Sequence, residues 1–239
     1  HVRVEKGYFM QEDQIAVKQE GKWGFINRFG EETIECFNQQ VGHFENGLVP
    51  IRYDGYWGYM DEFERDRIRF DYLEAGDFHE GLAKAKKEEQ WGFINAKGQT
   101  IVSFVYDEVR DYSEGLAAVA VGDRWGVIDR KGLIIVDFDF DEISPYSNGL
   151  AVARKGKKVF FINRTGKIYF KEQFQDAMPF SEKLAAVKIR DKWGFIDSGG
   201  TIVVPPAYER VYPFRAGITR VKYQGNWGFI DKKGRQYWD

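Results

Sequence analysis

Trp-Gly pairs stand at Trp23, Trp57, Trp91, Trp125, Trp193 and Trp227, spaced by 34 residues except between 125 and 193, where the gap is 68. Midway through that gap the chain reads KVFFINRTG, with Val159 and Phe160 in place of Trp and Gly, so it carries seven copies of one unit in register. A strict short period constrains folding more than composition does. Each unit must form one supersecondary element that cannot bury its apolar face alone and does so against its neighbours. Residues 1–239 therefore read as a single array without a linker or second domain.

Other positions keep the same beat. Two residues beyond each Gly stand Ile26, Met60, Ile94, Ile128, Ile162, Ile196 and Ile230. An Asn or Asp follows each of them, and a Gly comes three residues later except at Glu64. Asn or Asp at the start of a turn, with Gly where a left-handed conformation is needed, marks a short hairpin loop, so Glu64 predicts a strained or altered turn. A unit such as the fourth reads as strand (GLAAVAV), turn, strand (RWGVID), hairpin loop (DRKG), strand (LIIVDFDF) and an irregular corner. Nothing holds a helical period, and 17% aromatic residues with 26 Gly against 6 Pro suit pleated strands and tight turns. The expected class is all-β: a tandem array of seven 34-residue β-repeats, arranged as an open β-solenoid or superhelix of three-stranded units. The alternative is a closed seven-bladed β-propeller, whose blades usually need about four strands and roughly 40 residues.

Segments such as LAAVAVGDRWGVIDRKG and LAAVKIRDKWGFIDSGGTIVVPPAYERV resemble the WG-repeat (KWG-repeat) family, found mainly in bacteria. The resemblance covers essentially the whole chain and departs from the pattern at Val159-Phe160, Glu64, Lys183 and the opening copy, where Asp13-Gln14 replaces Gly-Leu. It implies a binding or scaffold module, often within larger or exported proteins, and brings no catalytic residue with it.

Charge narrows the classes further. Lys and Arg total 35 against 37 Asp and Glu, a net −2, which disfavours nucleic-acid binding by counterion release. No apolar run approaches the roughly 18 residues needed to span a bilayer, so membrane insertion is not expected. The single cysteine, Cys36, excludes an internal disulfide and leaves the compartment open. Because the chain starts at His1, a leader removed before it is one reading, and the cytoplasm and the envelope of a bacterium both remain candidates.

Candidate sites were sought on the lattice. Trp23, Trp57, Trp91, Trp125, Trp193 and Trp227 are expected to be structural rings, each beside a Gly that admits a neighbouring backbone. One column is basic in six copies: Lys18, Arg52, Lys86, Arg154, Lys188 and Lys222, with Ala120 in the fourth. Acidic columns at Glu74, Glu108, Glu142 and Asp176, and at Asp107, Asp141 and Glu209, offer it partners. The basic column either pairs with these acids or presents a ridge to an acidic protein or peptide. Asp137, Asp139 and Asp141 alternate along one strand face and read as a solvated face rather than a calcium site, because the EF-hand pattern fails. His43 and His79 have no repeated partner in the sequence, and Cys36 occupies a slot held elsewhere by Phe70, Phe104 and Phe138. No catalytic grouping, metal site or cofactor motif emerges, so the expectation is a non-enzymatic scaffold that binds another protein or peptide. The alternative is a carbohydrate or cell-wall polymer binder using Tyr53, Tyr56 and Tyr223.

Overall fold

A computed structural model of the chain describes residues 6–9 (backbone), 13–170 and 174–238. The described residues form seven antiparallel sheets in tandem and contain no helix. They fall into two compact units, residues 1–112 with 130–132, and residues 113–129 with 133–239.

The second sheet illustrates the plan. Its strands are Gln40–Val41, Leu48–Tyr53, Tyr56–Asp61 and Asp66–Tyr72, hydrogen-bonded in sequence order. We call them the opening, GLA, WG and closing strands. The sequence marks the last three; the opening strand lies in the segment read as an irregular corner. In most sheets it is two residues long, too short to show a period of its own.

Each strand connection has its own turn chemistry. The opening and GLA strands join through two residues of positive φ, such as Asn46 (53°) and Gly47 (72°). The GLA and WG strands do the same, for instance through Asp54 (47°) and Gly55 (86°). Paired left-handed residues are the type I′ turn, whose twist matches that of the strands. The WG and closing strands join through the predicted Asn/Asp loop: Asn95 Oδ1 accepts the N–H groups of Lys97 and Gln99, both at 3.0 Å, and Gly98 takes φ 74°. Glu64 keeps the same turn with its own N–H bonded to the Asp61 carbonyl (3.1 Å), but at φ 59°, as the broken rule predicts.

Gly24, Gly58, Gly92, Gly126 and Gly194 each face a bulge. Trp91 pairs with Tyr106 and Phe93 with Val102, so the closing strand spends two extra residues opposite Gly92. A Cβ at Gly92 would lie 2.6 Å from the Val102 carbonyl oxygen, and at Gly126 and Gly194 the equivalent distances are also 2.6 Å. The fifth copy has Phe160 at this position. Among the described residues, which omit 171–173 of its closing segment, that sheet has three strands, and the bridges Val159 to Phe174 and Ile162 to Ile168 keep the register of the other copies.

In the first six copies the core is built less from the tryptophans than from the residue two positions beyond, whereas Phe229 of the last copy is exposed. Phe25, Tyr59, Phe93, Val127, Phe161 and Phe195 are all at most 1% exposed. Five of them meet the corner aromatic of the next copy: Phe25–Phe44, Tyr59–Phe78, Phe93–Tyr112, Phe161–Phe180 and Phe195–Phe214, with centroids 4.7–5.5 Å apart. These ring pairs join consecutive copies within each unit and are arranged mostly edge to face.

A closing strand passes into the next opening strand through one residue: Gln39, Leu73, Asp141 and Glu209 are such joints. Their N–H groups donate to the carbonyls of Arg52, Lys86, Arg154 and Lys222 at 2.8–2.9 Å.

Candidate functional site

Each member of the basic column lies on its GLA strand directly opposite the Trp slot: Lys18 with Trp23, Arg52 with Trp57, Lys86 with Trp91, Arg154 with Val159, Lys188 with Trp193 and Lys222 with Trp227. All six are half-buried. The ammonium groups of Lys18 and Lys86 stand over the rings of Trp23 and Trp91, 5.5 and 5.8 Å from the centroids.

On its other side the column meets the acids. Lys86 Nζ lies 3.3 Å from Glu74, and Arg154 reaches Glu142 (3.1 Å) and Asp176 of the following copy (2.5 Å). Lys188 and Lys222 stand 3.9 Å from Asp191 and Glu209. Lys18 and Arg52 have no carboxylate partner among the described residues; Arg52 instead donates to Gly55 O and Gln40 Oε1, both at 3.3 Å. Exposed pairs of this kind contribute little energy each, yet they consume charge that a partner would otherwise meet.

The Trp rings sit at the rim of the core. Trp125 and Trp193 are buried, and Trp23, Trp57, Trp91 and Trp227 are half-buried. The structure also gives the second acidic column a role that the sequence did not suggest. Its residues are the joints, and their side chains accept a backbone N–H from the next type I′ turn. Asp141 accepts from Gly156 (2.5 Å) and Glu209 from Gly225 (3.1 Å), while Gln39 does the same for Gly55 (2.9 Å). A column counted by charge alone hides this, because Gln serves as well as Asp.

His43 and His79 do have repeated partners. His43 Nδ1 lies 2.7 Å from Asp77, and His79 Nε2 lies 3.8 Å from Asp111. Asp77 and Asp111 fill one slot in successive copies, a repeat that the sequence displays but that becomes legible only when the folded corners are brought together. Asp139 and Asp141 pair with Lys155 and Arg124, and Asp137 is exposed, as a solvated face requires. No group of three potential metal ligands occurs among the described residues. Cys36 is half-buried, and burial raises its thiol pKa, which disfavours the thiolate.

Titrations follow the packing. Burial pushes the Tyr146 hydroxyl up to about 12, and that hydroxyl donates to the Asn163 carbonyl at 3.1 Å. Tyr59, buried with its hydroxyl bonded to Gly76 O (2.7 Å), is raised further for the same reason. Burial also works to raise Asp61, but the N–H groups of Arg65 and Phe63 and the Arg65 guanidinium outweigh it and hold the carboxyl below its usual range.

The family profile described as "WG containing repeat" matches residues 23–57, 57–91, 91–125, 125–158, 160–193 and 193–227. No curated protein sequence matches the chain. Among solved structures, one titled "Crystal structure of the eukaryotic initiation factor" superposes with a TM-score of 0.64 at 14% identity, covering 95% of this chain and 73% of that one. Hsv2 of Kluyveromyces lactis superposes with a TM-score of 0.51 at 6% identity, covering 95% and 92%. At such identities the likeness concerns the fold alone.

Proposed function

The chain belongs to the WG containing repeat family, and on that premise we propose that it is a non-enzymatic scaffold binding another protein or peptide along an extended surface. One slot carries this reading. In that slot of each closing segment stand Thr33, Arg67, Ile101, Ile135, Tyr169, Val203 and Tyr237, all but Tyr169 on an edge strand of their sheet. The backbone is repeated while the outward side chain changes from polar to cationic to aliphatic to aromatic. Ile101, Ile135, Tyr169, Val203 and Tyr237 are each 37–52% exposed. An invariant frame with a varied rim supports recognition of a long partner by many small contacts.

The basic column is the second element of the proposal, with Lys18 and Arg52 its least neutralised members. Affinity capture from the native source tests both parts. Capture is expected to survive Lys86→Gln, Arg154→Gln, Lys188→Gln and Lys222→Gln, and to weaken on Lys18→Glu with Arg52→Glu. Unchanged capture across all six would restrict recognition to the rim.

A carbohydrate reading has one observation in its favour. Tyr223, Trp227 and Trp238 line a cleft of about 370 Å³ together with the amides of Gln224 and Asn226. Stacking rings beside hydrogen-bonding amides suit a sugar face. Glycan-array binding abolished by Tyr223→Ala would establish it, and silence across glycans would remove it.

A further inference from the structure

The second copy departs from the lattice on its closing strand, DRIRFDY, where Arg67 and Arg69 replace the Ile101 and Ser103 of the next copy and the Ile135 and Asp137 of the one after. Ile68 between them is buried and both arginines are exposed, with the register against the WG strand shifting on either side of Ile68. Lys97, at the tip of the next copy's hairpin, closes the other side of a cleft of about 290 Å³. Asp71, Tyr72 and Lys87 complete the lining.

Charge in this cleft is uncommitted. Arg69 and Lys97 have no carboxylate partner among the described residues. Arg67 comes no closer than 4.0 Å to Asp61, which is already held by Arg65 at 2.8 Å. Lys87 neutralises Asp71 at 3.0 Å and stands 4.8 Å above the Tyr72 ring. The cleft is thus strongly cationic in a chain of net charge −2. Two further features concern shape. The closing strand is the edge of its sheet, so alternate backbone groups along it lack a ladder partner. The buried oxygen Asp71 Oδ1 also has no hydrogen-bond partner among the described residues.

We propose that this cleft binds an extended acidic peptide, which adds to the strand Asp66–Tyr72 as a further β-strand and places carboxylates two residues apart against Arg67 and Arg69. Strand addition supplies affinity through the backbone, and the period-two guanidinium pair selects an acid-x-acid pattern by charge-assisted hydrogen bonds. Lys97 adds a third positive charge. The proposal rests on the scaffold reading and names one segment of its surface.

The test is calorimetric titration of the whole chain with a short strand-forming peptide containing Glu-Val-Glu. Binding is expected, and it should weaken at least about tenfold in Arg67→Gln/Arg69→Gln. Weakening is also expected in Lys97→Gln, which lies on a separate loop and guards against a folding defect in the double variant. A Gln-Val-Gln peptide should not bind, and N-methylation of the amides facing the strand edge should abolish binding. Equal affinity for both peptides or for wild type and variants would overturn the proposal, as would indifference to N-methylation. Inorganic phosphate binding as tightly as the peptide, or arginine-dependent recruitment to phosphatidylserine vesicles without peptide binding, would overturn it in favour of a small anion or a lipid surface. If the peptide fails while capture of a native partner persists, the cleft assignment falls and the scaffold reading stands. If the peptide binds but no partner is captured, the cleft assignment stands and the extended-surface part of the scaffold reading falls.

Discussion

Gly92 illustrates how much one side-chain position decides. Its missing Cβ is the space in which the Val102 carbonyl lies, so Gly92→Ala is expected to lower stability by about 1–3 kcal/mol, read from the urea midpoint. Lys183 gives the opposite sign. It occupies φ 72° in a turn where other copies place glycine, and Lys183→Gly is expected to raise stability by about 0.5–1 kcal/mol in the same assay. Asp61 adds a pH dependence. Its folded carboxyl is held below the unfolded value of about 4, so its contribution is complete above that pH and is lost as pH falls through the folded value. Asp61→Asn keeps the Oδ1 acceptor, as the native Asn27 and Asn95 do, and is expected to remove part of the acid-side slope in denaturation measured across a pH series.

At the level of strands, the fifth copy acts as a natural substitution experiment. Where Phe160 stands for glycine, the described closing residues still bridge to the WG strand at Val159–Phe174 and Ile162–Ile168. Val159→Trp with Phe160→Gly removes the Cβ from beneath the closing segment, and hydrogen exchange is expected to show greater protection at Ile168 and Phe174. Much of this element was legible in advance. The Asn/Asp loops, the close-approach glycines and three of four strands follow from residues that recur at fixed offsets. The opening strand was not legible, because two residues carry no period. Nor was the joint's turn-capping role, which Gln39 and Asp141 share across different charge. The core rings were only half legible: Trp stands out by rarity, yet Phe25, Tyr59, Phe93, Phe161 and Phe195, two positions further on, reach nearly complete burial. The basic column could be read as a row. Its pairing with Glu74, Glu142 and Asp176 required the fold, because these acids belong to the opening strands that the sequence concealed.

Across the whole molecule, the seven copies make architecture testable by excision. Deleting residues 57–90 fuses the Trp57 and Trp91 slots without disturbing register. The open array favoured by the sequence should still unfold cooperatively, at a lower midpoint because one set of neighbour contacts is gone. Loss of folding on this deletion would instead identify a ring that needs every member. The one-residue joints carry a further, historical consequence. Leu73 or Glu209 leaves no slack between a closing strand and the opening strand that follows, so a length change there could not be absorbed locally. A gene for such a chain can drift freely in spelling along the strand edges but can change length only by whole copies. Unequal crossing-over supplies changes of that kind, and the unbroken 34-residue spacing is the record such a filter would leave.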